Sequence, residues 1–149
     1  MQPAAKAGAR RGAETDRDLA DALRKARFYK AEVRHSVAHE DATSRLYVHV
    51  EAGARLDPIL EGNVSFDADD LVKTLDIGGK GISDATDAAQ RIRHRYVEYG
   101  FYDAEVDARI ERDPTRAIDH LVVSIRENPR VRVDKRVYAC LPTSIDPNS

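Results

Sequence analysis

A short motif occurs twice in this chain and limits the fold more than any other feature. Residues 28–33 have the sequence FYKAEV and residues 101–106 have the sequence FYDAEV, so five of six positions are identical at an offset of 73 residues. Self-similarity at a fixed spacing is typical of a structural unit that is repeated along the chain. The sequence therefore predicts copies of one unit of roughly that length.

The second copy of the motif lies where a helical pattern changes into a strand pattern. Apolar or small residues recur with helical spacing from Ala85 to Tyr96. Gly100 follows at a position where a left-handed residue commonly ends a helix. From residue 104 to residue 110 every second residue is apolar or small, which predicts a half-buried strand.

The predicted elements divide the chain into two units of unequal content. Residues 54–127 have the pattern of a complete unit, with the order strand, helix, helix, strand, strand. Residues 14–52 have only the later part of that order, a helix followed by a β-hairpin. Residues 1–13 predict a flexible tail, and residues 128–149 predict the first strand of a following unit and a frayed end.

The composition limits the kinds of partner that the chain can have. Charged residues make up 34% of the 149 residues, yet the net charge is only −2, which argues against a strongly electrostatic partner such as duplex DNA. No apolar run approaches the roughly 18 residues of a membrane-spanning helix. The single cysteine, Cys140, excludes an internal disulfide framework.

The titratable residues do not form a pattern typical of a catalytic or metal site. His35 and His39 share one face of their predicted strand, whereas His49 faces the opposite side of the next strand. Side chains on opposite faces of one hairpin cannot share a metal ion. No nucleophile, base and orienting group occur together in the sequence either. We therefore expect neither an enzyme nor a bound metal or cofactor.

A basic turn on the long helix has two interpretations. Arg91, Arg93, His94 and Arg95 are nearly consecutive, which is usual for a solvated helix face but also compatible with a basic binding patch. The glycine-rich loop at 78–81 lacks the spacing of a phosphate-binding loop, so we interpret its glycines as turn residues.

Four aromatic residues lie at the end of the same helix: Tyr96, Tyr99, Phe101 and Tyr102. Core packing of a helix on a sheet accounts for Tyr96 and for one of the pair Phe101 and Tyr102. The exposed member of the pair can then contact a peptide.

The ordered set of motifs resembles the POTRA (polypeptide-transport-associated) domain of the bacterial surface antigen family. Its first strand ends in Gly-Asn, an aromatic residue and a helix with leucine follow, and the second helix ends in Tyr-x-x-x-Gly before an acidic-Ala-x-Val strand. The matching residues are Gly62, Asn63, Phe66, Leu71, Tyr96, Gly100, Phe101 and Tyr102, followed by residues 103–106 and a closing turn at 127–129. One departure is Arg27, which occupies the position of the expected glycine in the first unit.

The resemblance implies an α+β fold. Each unit is expected to pack two helices on a three-stranded mixed sheet, with units in tandem. POTRA domains occur in strings in the periplasmic part of outer-membrane barrel assembly and translocation proteins. The resemblance therefore implies a periplasmic binding module, whose parent protein has a C-terminal membrane barrel outside this chain.

An unpaired strand at the edge of such a sheet can accept an extended peptide through main-chain hydrogen bonds. By the family's layout, the edge is the first strand of each hairpin. The residues expected there are Val33, Arg34, His35, Val37, Ala104, Glu105, Val106, Asp107, Ala108, Arg109 and Ile110. The implied partners are unfolded outer-membrane proteins and accessory assembly lipoproteins, and no nucleic acid.

Other functions are compatible with the same pattern. The units could serve only as a spacer in a secretion barrel or in a barrel-linked enzyme. A small α+β RNA-binding module can also have a βααβ order, but this sequence lacks a GXXG loop and a basic aromatic sheet face. An enzyme fragment would need a catalytic group that the sequence does not display.

Overall fold

The computed structural model describes residues 3–137, with side chains from Arg10 onward. Three helices and five strands follow one another along the chain. They are α1 (Pro3–Lys25), β1 (Glu32–Glu40), β2 (Thr43–Glu51), β3 (Arg55–Glu61), α2 (Ala68–Leu75), α3 (Ala85–Glu98), β4 (Glu105–Asp113) and β5 (Ile118–Arg126). Among the described residues, no helix combines the length and apolarity needed to cross a bilayer.

The central unit, from β3 to β5, is built on a three-stranded mixed sheet with the order β3-β5-β4. β5 lies in the middle because it pairs in parallel with β3 and antiparallel with β4. Its near-continuous apolar run, from Leu121 to Val123 and again at Ile125, suits the central strand of a sheet, which has a strand partner on each side. The predicted α+β class and the predicted β-α-α-β-β order are confirmed.

The core of the central unit lies between this sheet and the helices α2 and α3. Leucines from β3, α2 and β5 meet Ile92 and Tyr96 of α3 there, because each helix turns one apolar stripe toward the sheet. The side chains that are fully buried are Leu56, Leu71, Leu75, Ile92, Tyr96, Leu121 and Val123. The helices therefore cover one face of the sheet.

The first unit, from α1 to β2, contains a helix and a two-stranded antiparallel sheet. α1 packs on β1. Val33 lies opposite Val50, and Val37 lies opposite Leu46, so the apolar residues of both strands share one face. The predicted helix and hairpin are therefore both present.

The ends of α1 and α3 share the hydrogen bond that closes the helix. The Phe101 amide donates to the Tyr96 carbonyl at 3.0 Å, and the Phe28 amide donates to the Leu23 carbonyl at 2.9 Å, 73 residues earlier. A bond of this kind closes a helix when the residue just before the donor has a left-handed conformation. The repeat in the sequence is therefore also a repeat in backbone structure.

The left-handed residue differs between the two copies. Gly100 has a φ of 92°, and a Cβ placed on it would lie 2.9 Å from the Val131 carbonyl oxygen. Arg27 occupies the equivalent position with a φ of 71°. A left-handed conformation costs a residue with a Cβ roughly 1–2 kcal/mol. Arg27 therefore keeps the left-handed conformation of the expected glycine, although it carries a side chain.

Helix α1 begins earlier than the sequence indicated. Residues 3–13 form its first turns, in contrast to the predicted tail. Alanine and arginine are strong helix formers, and proline is tolerated in a first turn. Gly12 is buried, and a Cβ on it would lie 2.6 Å from the His35 ring, so this glycine permits close approach of α1 to β1.

The segment after β5 also differs from expectation. Residues 128–137 form no strand, so the predicted first strand of a following unit is absent from the described part of that segment. A strand needs a partner with which to form a ladder, and this segment instead places the Val131 amide on the Gly100 carbonyl at 2.8 Å. Residues 138–149, including Cys140, lie outside the described residues.

The two units make direct contact through the residues that follow α1. The Leu56 amide donates to the Arg27 carbonyl at 2.8 Å. The Tyr29 hydroxyl donates to Oδ2 of Asp119 at 2.6 Å, and its ring packs against the central core. Burial, followed by the neighbouring Asp119 carboxylate, raises the pKa of Tyr29 to about 12.

Candidate functional site

β4 occupies the edge of the central sheet. Among the described residues it pairs with β5 alone, and this leaves its second side without a strand partner. Half of the main-chain N–H and C=O groups of an edge strand point away from the sheet. The predicted edge residues 105–110 lie on this strand, and Ala104 directly precedes it.

Side chains on β4 alternate between the helix side and solvent. Val106, Ala108 and Ile110 are half-buried and pack against the core. Between them, Arg109 is exposed and forms an exposed ion pair with Glu111 at 2.7 Å. Charged residues on an edge strand reduce uncontrolled pairing between copies of a protein.

An open cleft of about 230 Å³ lies between α3 and β4. Small side chains create this space, in particular Ala89 on the helix and Ala108 on the strand. The cleft is lined by Thr86, Ala89, Gln90, Arg93, Val106, Asp107 and Ala108.

A second open cleft, of about 490 Å³, extends this space toward the start of β4. Arg93 lines both clefts and donates from Nε to the Ala104 carbonyl at 3.3 Å. Tyr102 also lines the second cleft, and 56% of its surface is exposed. Together the two clefts form one groove along β4, which we call the α3–β4 groove.

The corresponding space in the first unit is filled. His35 occupies the position of Ala108, and Asp16 occupies the position of Ala89. Nδ1 of His35 lies 2.5 Å from Oδ2 of Asp16, and the ring packs against Gly12. The predicted edge residues of β1, among them Val33, Arg34 and Val37, lie on the strand that carries this histidine.

The Gly-Asn motif after β3 has a structural role. Gly62 has a φ of 84°, and a Cβ on it would lie 2.0 Å from the Ile125 carbonyl oxygen. Nδ2 of Asn63 donates to the Phe66 carbonyl at 3.0 Å. These two residues allow the chain to leave β3 close to β5 and place Phe66 over the core.

The aromatic residues form one cluster at the end of α3. The Phe66 ring meets the Tyr96 ring edge-to-face at 4.9 Å and the Tyr99 ring at 5.1 Å. Phe101 is buried and lies 5.6 Å from Tyr96. The prediction that Tyr96 and one of the following pair are buried is confirmed, and Tyr102 is the exposed one.

The Glu127 side chain makes several hydrogen bonds in this region, all to residues that are distant in the sequence. Its carboxylate accepts hydrogen bonds from the amides of Val64 and Ser65, both at 2.7 Å, and from the Ser65 hydroxyl at 2.6 Å. It also accepts from the Tyr96 hydroxyl at 2.9 Å. Its only sequence signal is a place in the turn motif at the end of β5, because its partners lie 31 to 63 residues away.

These contacts shift the pKa values of Glu127 and Tyr96 in opposite directions. Burial opposes ionisation of Glu127, but the hydrogen bonds from Ser65, Tyr96 and Val64 outweigh it and lower the pKa of this carboxyl. Burial, and then the Glu127 carboxylate, raise the pKa of Tyr96. The loop after β3 is thus held to the end of β5 by an ionised group.

The arginines of the basic turn contact other groups of the same chain. Arg91 donates to the Leu75 carbonyl at 2.7 Å and pairs with Asp87 at 2.8 Å. The Arg95 guanidinium lies over the Tyr99 ring at 4.5 Å. These contacts, together with the bond from Arg93 to the strand, favour a structural role over a binding patch.

The histidines contact single partners. His39 lies 2.8 Å from the Ser44 hydroxyl, and His120 lies 3.5 Å from the Asp57 carboxylate. Within residues 3–137, no three His, Cys, Asp or Glu side chains are grouped in a way that could hold a metal ion.

Similarity to known proteins is found among solved structures. No protein-family model matches the chain, and no curated protein matches it. Among solved structures it is similar to BamA POTRA domains 3–5 of Haemophilus influenzae, with 18% identity over 76% of this chain and 49% of that chain, at a TM-score of 0.36. It is also similar to BamA of Haemophilus ducreyi lacking POTRA domains 1–3, with 20% identity over 74% of this chain and 22% of that chain, at a TM-score of 0.35.

The chain thus spans at most 49% of the length of these two structures. Both TM-scores are below 0.5, so the POTRA-like fold of the central unit rests on its own strand order, register and motif contacts. That fold gives no substrate or partner by itself.

Proposed function

We propose that this chain is a POTRA-like module of an outer-membrane barrel assembly or translocation protein, and that it binds unfolded barrel polypeptides by β-strand addition. The observation that carries the proposal is the free edge of β4 beside the α3–β4 groove. Main-chain pairing with an edge depends little on the sequence of the guest. This independence suits a module that handles many different barrel polypeptides.

The groove gives the guest strand a place for its side chains. A guest that extends β4 directs every second side chain to the helix side of the sheet. There the small side chains of Ala89 and Ala108 leave room, and exposed Tyr102 offers an aromatic surface. Strands of outer-membrane barrels alternate between apolar and polar residues over about ten positions, a length close to the nine residues of β4.

The edge of β1 is proposed as a second, weaker acceptor. It too has a free side among the described residues. The imidazole of His35 occupies the space between β1 and α1, so a guest there gains main-chain hydrogen bonds but little side-chain burial.

The wider setting is part of the same proposal. It comprises a periplasmic location, an outer-membrane-anchored parent protein and docking of accessory lipoproteins, and it entails binding without catalysis. The low net charge of −2 agrees with recognition through main-chain and apolar contacts.

An amide NMR titration of the full chain with a peptide copied from a barrel strand tests the proposal. We expect the largest shifts at residues 104–112 and smaller ones at residues 33–39. Unchanged amide signals at these positions with millimolar peptide would overturn strand addition and favour a spacer role for the units.

A substitution that copies the first unit tests the groove itself. Ala108→His should fill the space beside α3 and weaken peptide binding about tenfold, a change of roughly 1.4 kcal/mol. Thr86→Tyr offers a second way to fill the groove from an exposed helix position. Arg109→His is the matched control, because it places the same ring on the exposed face of β4. Equal binding by all three variants would contradict a role for the groove.

A further inference from the structure

The hairpin of the first unit has an apolar stripe that is largely uncovered. The stripe consists of Leu46, Val48 and Val50 on β2, which we call the β2 stripe. Leu46 is 43% exposed and Val50 is 48% exposed, while Val48 is half-buried. Among the described residues β2 pairs with β1 alone, so the main-chain groups on its other side also have no strand partner.

The central unit contains the same stripe in a buried state. Its members are Leu121, Val123 and Ile125 on β5, which are 0%, 0% and 8% exposed. The two stripes therefore have nearly the same side chains and differ in what lies over them.

The register of the two hairpins establishes this equivalence. Leu46 lies opposite Val37 on β1, and Leu121 lies opposite Ile110 on β4. Because Val37 and Ile110 are 73 residues apart in the repeat, the stripes occupy the same place in their units. The offset between the stripes is 75 residues, since the turn between β4 and β5 is two residues longer than the turn between β1 and β2.

Two elements cover the stripe of the central unit. β3 pairs in parallel with β5, from Arg55 opposite Ile118 to Glu61 opposite Ser124. The helix α2 then adds two fully buried leucines to the same core. The first unit has no counterpart of this strand and short helix within residues 3–137.

The residues beside the β2 stripe also indicate what kind of loop would fit. In the central unit, Glu127 and Tyr96 hold the loop between β3 and α2 through hydrogen bonds. The equivalent positions in the first unit are Ala52 and Leu23. An occupant of the first unit would therefore be held by apolar contacts at this point, without hydrogen bonds to a carboxylate.

We propose that the β2 edge and the β2 stripe form an acceptor site for a polypeptide segment made of a strand followed by a short amphipathic helix. The strand pairs in parallel with residues 43–49, and the apolar side chains of the strand and of the helix cover the stripe. This site is separate from the β1 and β4 edges, and its occupant completes the sheet and core of the first unit.

The chain itself supplies a suitable probe, a synthetic peptide with the sequence of residues 54–77. It contains the strand, the loop and the leucine-bearing helix that cover the equivalent stripe in the central unit. We expect the peptide to shift the amides of residues 43–51 in the isotope-labelled full chain, and to slow their hydrogen exchange at least tenfold.

Matched variants of β2 assign the binding to the stripe. The double variant Leu46→Ser and Val50→Ser changes two exposed side chains and should weaken binding about tenfold or more. Tyr47→Ser is the control, because Tyr47 is 45% exposed on the opposite face of the same strand. Its binding should equal that of the parent chain.

Three results would overturn the proposal. The first is an unchanged spectrum at residues 43–51 with millimolar peptide. The second is a set of shifts confined to residues 118–126, which would mean that the peptide exchanges into the central unit. The third is a dimer of the chain that pairs through β2 and excludes the peptide, since the occupant would then be a second copy.

Discussion

The two units of this chain share a motif, a register and the hydrogen bonds that end their helices, yet they bury their hairpins to very different extents. In the central unit Leu121 is fully buried, whereas Leu46, at the same place in the first unit, is 43% exposed. The hairpin sequences do not account for the difference. The cover supplied by β3 and α2 does, so burial here is a property of the complete unit.

The contacts between helix and first strand differ in the opposite sense. In the first unit His35 and Asp16 fill the space between α1 and β1. In the central unit Ala108 and Ala89 leave the α3–β4 groove open. The unit with the complete core thus has the open groove, and the unit with the incomplete core has the filled one. Four substitutions can break or sharpen this comparison.

Gly62→Ala should have the largest effect, because it separates the end of β3 from β5 and so uncovers the apolar stripe of the central unit. The added Cβ would lie 2.0 Å from the Ile125 carbonyl oxygen, and backbone clashes in a core belong to the most destabilising class of substitution, costing roughly 3 kcal/mol or more. Urea unfolding monitored by the amide signals of β5 measures this loss. The control is Gly81→Ala, which has a similar φ of 73° but open space around the new Cβ. A loss equal to that of the control would contradict the clash.

Glu127→Gln should remove the ionised clamp and destabilise the central unit by about 2 kcal/mol, since hydrogen bonds to a charged group contribute about 1.5–3 kcal/mol. The pKa of Glu127 is lowered in the folded protein. Its contribution is therefore complete above the unfolded pKa of about 4.3 and is lost as the pH falls through the lower folded pKa.

Thermal unfolding between neutral and acidic pH checks this prediction. The difference between the parent chain and Glu127→Gln should shrink below about pH 4.3. Glu105→Gln is the matched control, because Glu105 forms only an exposed ion pair with Arg126 on the same sheet. A difference in thermal stability between the parent chain and Glu127→Gln that stays constant with pH would contradict a stabilising role of the ionised Glu127 carboxylate.

Tyr29→Phe should weaken the contact between the two units. It leaves the buried Asp119 without its donor, which costs about 1–3 kcal/mol. Folding raises the pKa of Tyr29 to about 12, so its contribution is complete below the unfolded pKa of about 10 and is lost as the pH rises from there to about 12. Unfolding free energies at neutral and alkaline pH measure both effects. Tyr102→Phe, at the equivalent position of the repeat, should change neither.

Arg27→Gly should have the smallest effect and the opposite sign. It gives the first unit the glycine that the central unit has at Gly100. Relief of the left-handed conformation, less the entropy that glycine adds to the unfolded chain, should stabilise the first unit by about 0.5 kcal/mol. Unfolding followed by the β1 and β2 amide signals is the measurement. A loss of stability would mean that the Arg27 side chain, 4.0 Å from Asp57, contributes more than its conformation costs.

The sequence by itself determined the local structure of the chain. The change from a helical period to a period of two, with a glycine between them, placed the end of α3 and the start of β4. The alternating residues of both hairpins fixed which side chains face the helices. These features depend on backbone conformation and on neighbours a few residues apart, which a repeat and a period record directly.

Only the tertiary structure decided which faces are covered and which groups meet. The alanine-rich start of the chain became part of α1, Glu127 received donors from a distant loop, and Tyr29 reached Asp119 across 90 residues. Each result depends on the order of strands in the sheet and on the space between elements. A pattern of residue types along the chain contains neither quantity, so the filled space in one unit and the open groove in the other became visible only in three dimensions.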